Sequence, residues 1–463
     1  MFATTRSILF TLIILGCVSG CDLINDRPVG LGYSAKYICS YVFNSGFDEE
    51  YVIDDLVAPK VKPLPLLWHI DVDHTLKQVR VWDSLFGESG AALAFYTQGK
   101  GCTLLVDKSL EEVASIPFTP SDSMALDPTT PWPYGSGGKA AIDIPGLDYD
   151  RVETAVAAAF EETHEIPVNT TSVVVAYRGQ LIAEAYGNGA NEDTPLLGWS
   201  MTKTITGMLA GILIDEGKME LDTSAPISRW QGTEKENITT RILLNMSGGL
   251  MVDENYGNLS DVTRMLYLES DQYDYALKQE RVYEPGDVFQ YSTAEANRLA
   301  AAVQETIGGT QQAMYDFYQS KLFQPLGLNQ AFIEFDASGN MVGGAYGFMK
   351  ARDWARLGQL YLQRGNWNGE QIISSGFVDF ATQPSASTSI YGGQIWLNTD
   401  GNAWPNIPGD AYFFAGHQGQ HIVVIPSLDL IVMRTGVTED RYLVVNEIVA
   451  PLLDEVIASL PRR

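Results

Sequence analysis

The chain is short of positive charge and of histidine. Its 463 residues carry 30 Lys and Arg against 57 Asp and Glu, a net charge of −27. Nucleic acid and anionic lipid surfaces need a basic face, so neither is expected as a partner. Only five histidines are present. His417 and His421 are four apart, but glycines break the local sequence and no third ligand is in view, so neither a metal site nor a cofactor is expected. The apolar run Ile8 to Leu15 is too short for a membrane span. What the chain does have is a globular balance, with 45% hydrophobic and 19% charged residues. That length suits two or three domains with ample core.

Residues 1–21 have the pattern of an export signal: Arg6, an apolar run, then small residues. Val18-Ser19-Gly20-Cys21 resembles a bacterial lipoprotein cleavage box, with Cys21 as the lipidated residue and Cys17 as a second candidate. The expected location is the cell envelope, facing the periplasm, with membrane contact only through that anchor. Cleavage before Cys21 leaves Cys39 and Cys102, an even pair in an oxidising compartment. A bridge between them would close a long loop, worth about 4 kcal/mol in the chain-entropy model; two buried free thiols are the alternative.

Residues 22–118 alternate short apolar runs with turns. Tyr37 to Phe43, Val79 to Trp82, Ala91 to Tyr96 and Cys102 to Val106 are expected as strands of a small β-rich N-terminal region. Residues 119–146 are rich in Pro, Gly, Ser and Thr and are expected as a linker. Residues 147–463 form the main domain. A helix is expected from Asp150, then a strand–turn–strand over Ser172 to Tyr186. Strand signals return at Gly393 to Leu397, Ala411 to Ala415, His421 to Ile425 and Leu430 to Thr435, before a closing helix from about Asp440 to Ser459. Between them lies a long, mostly helical stretch, Lys218 to Gly344. The expected fold is α+β: a mainly antiparallel sheet, built from both ends of the domain, flanked by helices and carrying a helical insertion.

The chemistry concentrates at Gly198-Trp199-Ser200-Met201-Thr202-Lys203, which opens the apolar run Met201 to Ile214. The run predicts a buried helix, closed by Gly217. Ser200 and Lys203, three apart, share a face. A serine hydroxyl needs a base beside it, and burial lowers a lysine's pKa enough to make it one. The helix N-terminus favours a developing oxyanion. A chain of this length holds about one Ser-x-x-Lys by composition alone, so the weight lies with three stretches further along the chain. Ser292 and Glu295 have capping-box spacing, which sets Tyr291 just outside a helix start, where its hydroxyl could relay a proton or its ring could simply pack. Gly416-His417-Gln418-Gly419-Gln420 lies between two strand signals. The Gln420 N–H could pair with that of Ser200 as an oxyanion hole, and His417 could touch substrate or bond Tyr291. Leu243 to Leu250 ends in a Gly pair, as a loop under the cleft or as a helix C-terminus.

Taken together, Ser200 to Lys203, Leu243 to Leu250, Tyr291-Ser292-Thr293 and His417-Gln418-Gly419 resemble, in order and rough spacing, the serine β-lactamase and penicillin-binding superfamily. The similarity is nearer its class C-like branch of esterases and 6-aminohexanoate-oligomer hydrolases, and it covers roughly Leu147 to Pro461. Asp353 to Leu362 and Gly369 to Ile373 resemble stretches common there. The resemblance implies Ser200 as acylated nucleophile and Lys203 with Tyr291 as base and relay. It implies the N–H groups of Ser200 and Gln420 as oxyanion hole, and His417, Gly419 and Thr293 against substrate. Thr293 stands where that superfamily usually has Asn, and His417 where it has a Lys that recognises a carboxylate. A neutral imidazole is a weaker anion partner. Both departures favour a small ester or amide as substrate over a β-lactam or a D-alanyl-D-alanine peptide. A catalytically silent binding protein on the same fold is the expectation of another class. The substrate's identity and the oligomeric state stay open.

Overall fold

The computed structural model describes residues 25–122, 126–138, 143–328 and 330–462. The expected export signal, with Cys17 and the lipidation site Cys21, lies outside the described residues. The main domain is organised on a six-stranded, fully antiparallel sheet. Its order is Trp396–Leu397, Tyr412–Gly416, Gln420–Ile425, Leu430–Gly436, Thr170–Tyr177, Gln180–Tyr186. The two ends of the domain meet in its middle, where Met433 lies opposite Val174.

The strands are buried on both faces, which is why they read as near-continuous apolar runs. Val174, Ala176, Ile422 and Val424 face one core, covered by the helices Met201–Asp215 and Ala351–Leu362. Val173, Val175, Val423 and Ile425 face the other, covered by Tyr149–Ala158 and Ala450–Ser459. Met201–Asp215 is apolar nearly all round because it lies inside the first of these cores. It stops at Glu216 and the left-handed Gly217 (φ +69°). The stretch between Lys218 and Gly344 is helical and irregular, as its sequence suggests.

The N-terminal region carries the expected hairpins as a four-stranded sheet in chain order, Trp68–Asp73, Gln78–Asp83, Ala92–Thr97 and Gly101–Leu105. Tyr37 to Phe43 departs from expectation: it is not a strand. Residues 25–39 are helical and run into a π-helical turn, Ser40–Ser45. The helix is wedged between the small sheet and the main domain, so Tyr37, Ile38 and Cys39 are all fully buried. A short run that is apolar but for Ser40 carries no period that separates a buried helix from a buried strand. Tyr37 packs on Trp199 with ring centroids 4.9 Å apart, and Cys39 is disulfide-bonded to Cys102. Lys36 forms an ion pair with Glu334 of the main domain.

The described parts of 119–146 are tied to the main domain. Trp132 Nε1 donates to Arg352 O at 3.1 Å, and Arg356 donates to Pro133 O and Gly135 O at 2.8 and 2.6 Å. Among the described residues no helix is long and apolar enough to cross a membrane.

Candidate active site

Ser200 sits where a short strand, Leu196–Leu197, turns into the helix Met201–Asp215. The turn is tight. Trp199 holds φ +48°, a conformation that costs a bulky residue about 1–3 kcal/mol. It is secured by Nε1, which donates to Gln418 Oε1 at 2.9 Å. Ser200 is the N-cap residue, yet its hydroxyl caps no backbone N–H. Instead Lys203 Nζ lies 2.8 Å from Ser200 Oγ.

Lys203 is 1% exposed, and Nζ also meets Gly344 O at 2.7 Å and Thr293 Oγ1 at 3.0 Å. Burial pulls its pKa down to about 8, with the nearby Glu254 carboxylate opposing. A neutral amine fits these partners. As the ammonium, Nζ donates to Ser200 Oγ, Gly344 O and Thr293 Oγ1; on losing a proton it keeps Gly344 and Thr293 with its two N–H groups and turns its lone pair to the Ser200 hydroxyl. Thr293 is fully buried and works for this lysine: its N–H and hydroxyl also bond Glu254 Oε1, at 2.9 and 2.5 Å, and Tyr256 Oη at 2.9 Å. It therefore sits behind Lys203 and not on the wall of the cleft.

Tyr291 precedes the helix Thr293–Thr306, whose N-cap Ser292 accepts the Glu295 N–H at 3.1 Å. The reciprocal half of the capping box is absent, because Glu295 turns to the Gly248 N–H at 2.7 Å and to Arg298. Tyr291 Oη is in hydrogen-bonding reach of Ser200, and burial raises its pKa, so the phenol stays protonated. Lys203 Nζ lies 5.0 Å from the ring centroid. The ring packs on Trp396 and Tyr391, over Met246. The stretch Leu243 to Leu250 is thus both a helix end, Thr240–Leu244, and the floor beneath this tyrosine.

The opposite wall is the hairpin Tyr412–Gly416 to Gln420–Ile425. Gly416 has no room for a side chain: a Cβ there would fall 2.3 Å from Gly198 O. That contact brings the strand end against the Ser200 turn. His417 is next, stacked on Tyr256 at 5.3 Å and edge-on to Trp199. Burial and the Lys60 ammonium, whose Nζ is 3.3 Å from His417 Nε2, push its pKa down to about 4, so the imidazole is neutral. Its contact is with Lys60 and not with Tyr291. Gly419 is required by packing, since Arg434 Nη1 occupies the space of its Cβ (2.2 Å).

Gln420 does not meet expectation. It pairs with Gly416 across the hairpin, it lies outside the cleft lining, and its side chain bonds His417 O and Gly436 O. Three residues, 417–419, make the turn, so the position after Gly419 is already inside the sheet. Among the described residues the N–H groups of Ser200 and His417 have no protein acceptor.

These groups surround a cleft of about 910 Å³ lined by Ser200, Glu254, Tyr256, Tyr291, Trp396 and His417. Lys60, Glu254 and Tyr256 carry no sequence signal, since each lies in an irregular stretch outside the motifs. A second Ser-x-x-Lys, Ser136 to Lys139, lies in the Gly-rich crossing. Ser136 Oγ donates to Leu126 O, and Lys139 is outside the described residues.

The family model described as Beta-lactamase matches residues 156–438, more than half of the chain. The 6-aminohexanoate-dimer hydrolase of Paenarthrobacter ureafaciens is 24% identical over 294 residues, which are 57% of this chain and 72% of that protein. A penicillin-binding protein homologue from Caulobacter crescentus superposes with a TM-score of 0.54 at 17% identity, covering 69% of this chain and 100% of its own. A family VIII carboxylesterase gives 0.54 at 16%, covering 69% and 99%. These two structures share the fold.

Proposed function

Because the chain belongs to the Beta-lactamase family and is an enzyme of its serine-hydrolase type, we propose that it cleaves an ester or amide bond through an acyl-enzyme on Ser200. One observation carries the reading: Ser200 Oγ, uncommitted to the helix, lies 2.8 Å from a buried lysine whose pKa has fallen to about 8. Neutral Lys203 takes the hydroxyl proton as Oγ bonds to the substrate carbonyl carbon. The carbonyl oxygen becomes an oxyanion, held by the N–H groups of Ser200 and His417. The carbon–heteroatom bond then breaks, and Lys203 returns its proton to the departing alkoxide or amine through the Tyr291 hydroxyl. Water attacks the ester on Ser200 with the same groups as base and relay, releasing the acid and restoring the hydroxyl.

The amide-cleaving name of the curated relative supports a small ester or amide as substrate. A D-alanyl-D-alanine carboxypeptidase or β-lactamase is the second reading. It is favoured by Lys60, which returns a cation to the neighbourhood of His417. That ammonium is already paired with Glu439 at 2.6 Å, and Thr293 is occupied with Lys203, so the ester or amide reading is preferred. We further propose that the enzyme acts outside the cytoplasm as a lipoprotein anchored at Cys21, a reading supported by the Cys39–Cys102 disulfide.

The test is turnover of nitrophenyl butyrate and of benzylpenicillin by the wild-type protein and by Ser200→Ala. Ester turnover that Ser200→Ala loses, with penicillin untouched, is the expected result. Fast penicillin turnover, or a long-lived penicillin adduct, would move the assignment to the second reading.

A further inference from the structure

A second cavity, of about 360 Å³, lies beside the cleft, and Tyr256 and His417 line both. Its outer wall comes entirely from the N-terminal region: Val29 on the first helix, Val61, Leu64 and Leu67 on the turn after it, and Phe86 beyond the small sheet's first hairpin. All of these precede residue 156, where the family match begins. The outer wall of the cavity therefore lies outside the matched domain.

Most of its polar groups are already engaged. Arg27 pairs with Asp83, and Asp26 accepts the Leu259 N–H at 2.7 Å. Lys60 pairs with Glu439 at 2.6 Å, and Tyr33 bonds Gln418. Arg27 Nη2 and the Tyr267 hydroxyl are buried there without a partner, but the Arg27 charge is balanced by Asp83 and the outer wall is hydrocarbon, so an apolar chain gains by entering. The rim is apolar as well: Leu67, Leu85 and Phe86 are 42%, 66% and 52% exposed. Its size falls within the range of small-ligand sites.

We infer that this cavity is a subsite for an unbranched hydrocarbon arm of the substrate, so that the N-terminal region sets chain-length preference. The inference rests on the hydrolase reading above for what the hydrocarbon is attached to. The arm is either the acyl chain or the alcohol, and two substrate series separate them. One varies the acyl chain of nitrophenyl esters from acetate to octanoate. The other varies the alcohol of acetate esters from ethyl to octyl. In one series kcat/KM should climb by about fourfold for each methylene that enters, until the cavity is full.

Leu64→Trp fills the cavity and should lower the long-to-short ratio of kcat/KM in that series by about tenfold or more. Leu64→Ala, which cannot obstruct, should move the optimum to a longer chain. Decanol titrated calorimetrically into the same proteins reads the cavity without chemistry. It should bind the wild type and bind Leu64→Trp about tenfold more weakly. If decanol behaves so while no ester is turned over, the hydrolase reading falls and the subsite stands. A flat or falling profile in both series overturns the inference. So does a Leu64→Trp protein that binds decanol as the wild type does.

Discussion

Among the described residues three lysines are almost fully buried, and two of them bear on the site: Lys36 at the seam between the N-terminal helix and the main domain, and Lys203 in the cleft. The protein answers them differently. Lys36 meets the Glu334 carboxylate, Ser40 Oγ at 2.9 Å and the Tyr346 ring at 4.2 Å. Glu334 in turn takes Asn44 Nδ2 and the Cys102 N–H, at 2.7 and 2.6 Å. Lys203 meets only neutral acceptors, and the nearest carboxylate, Glu254, is bonded to Thr293 and Tyr256 instead. Burial lowers both pKa values, but at Lys36 the carboxylate pulls back, while Lys203 falls to about 8. At Lys36 the carboxylate makes a clamp; at Lys203 its absence, beside the Ser200 hydroxyl, makes a base.

The comparison breaks most visibly in activity. Lys203→Met should cut kcat/KM by about 10³-fold or more, read on nitrophenyl butyrate, since the nucleophile loses its base. The pH dependence comes from the same group. Only the neutral amine accepts the proton, so kcat/KM should fall about tenfold per pH unit below about 8 and level off above it. A profile flat from pH 6 to 9 would remove Lys203 from the role.

Stability sharpens the contrast from the other side. Glu334→Gln should cost about 3 kcal/mol in denaturant unfolding, because it leaves the Lys36 ammonium buried and unpaired. Lys203→Met should cost no more than about 1 kcal/mol, since no charge is stranded and Thr293 keeps Glu254 and Tyr256. Equal losses from the two would erase the distinction. The smallest effect concerns His417. Lys60→Met removes the second cause of its lowered pKa but not burial, so its proton-NMR midpoint should rise from about 4 while staying below 6.5.

The main domain was legible because its strands and the Ser200 helix are long, uniformly apolar and bounded by turns. Tyr37 to Phe43 was not, because a helix enclosed on all sides shows the composition of a strand. Ser200, Lys203 and Tyr291 sit at element boundaries that sequence marks, and the structure brings them together. Gln420 was misplaced because the length of a hairpin turn decides which residue faces the cleft, and a difference of a few residues is invisible in glycine-rich sequence. Lys60 reaches His417 from 357 residues away, and no local pattern encodes such a contact.

The central claim is that Ser200 carries the acyl group. Intact mass of the protein, quenched seconds after mixing with nitrophenyl butyrate and combined with peptide mapping, tests it directly. One butyryl group on the peptide containing Ser200, absent in Ser200→Ala, is the predicted result. Turnover that persists in Ser200→Ala, or an adduct mapped to any other residue, would contradict it.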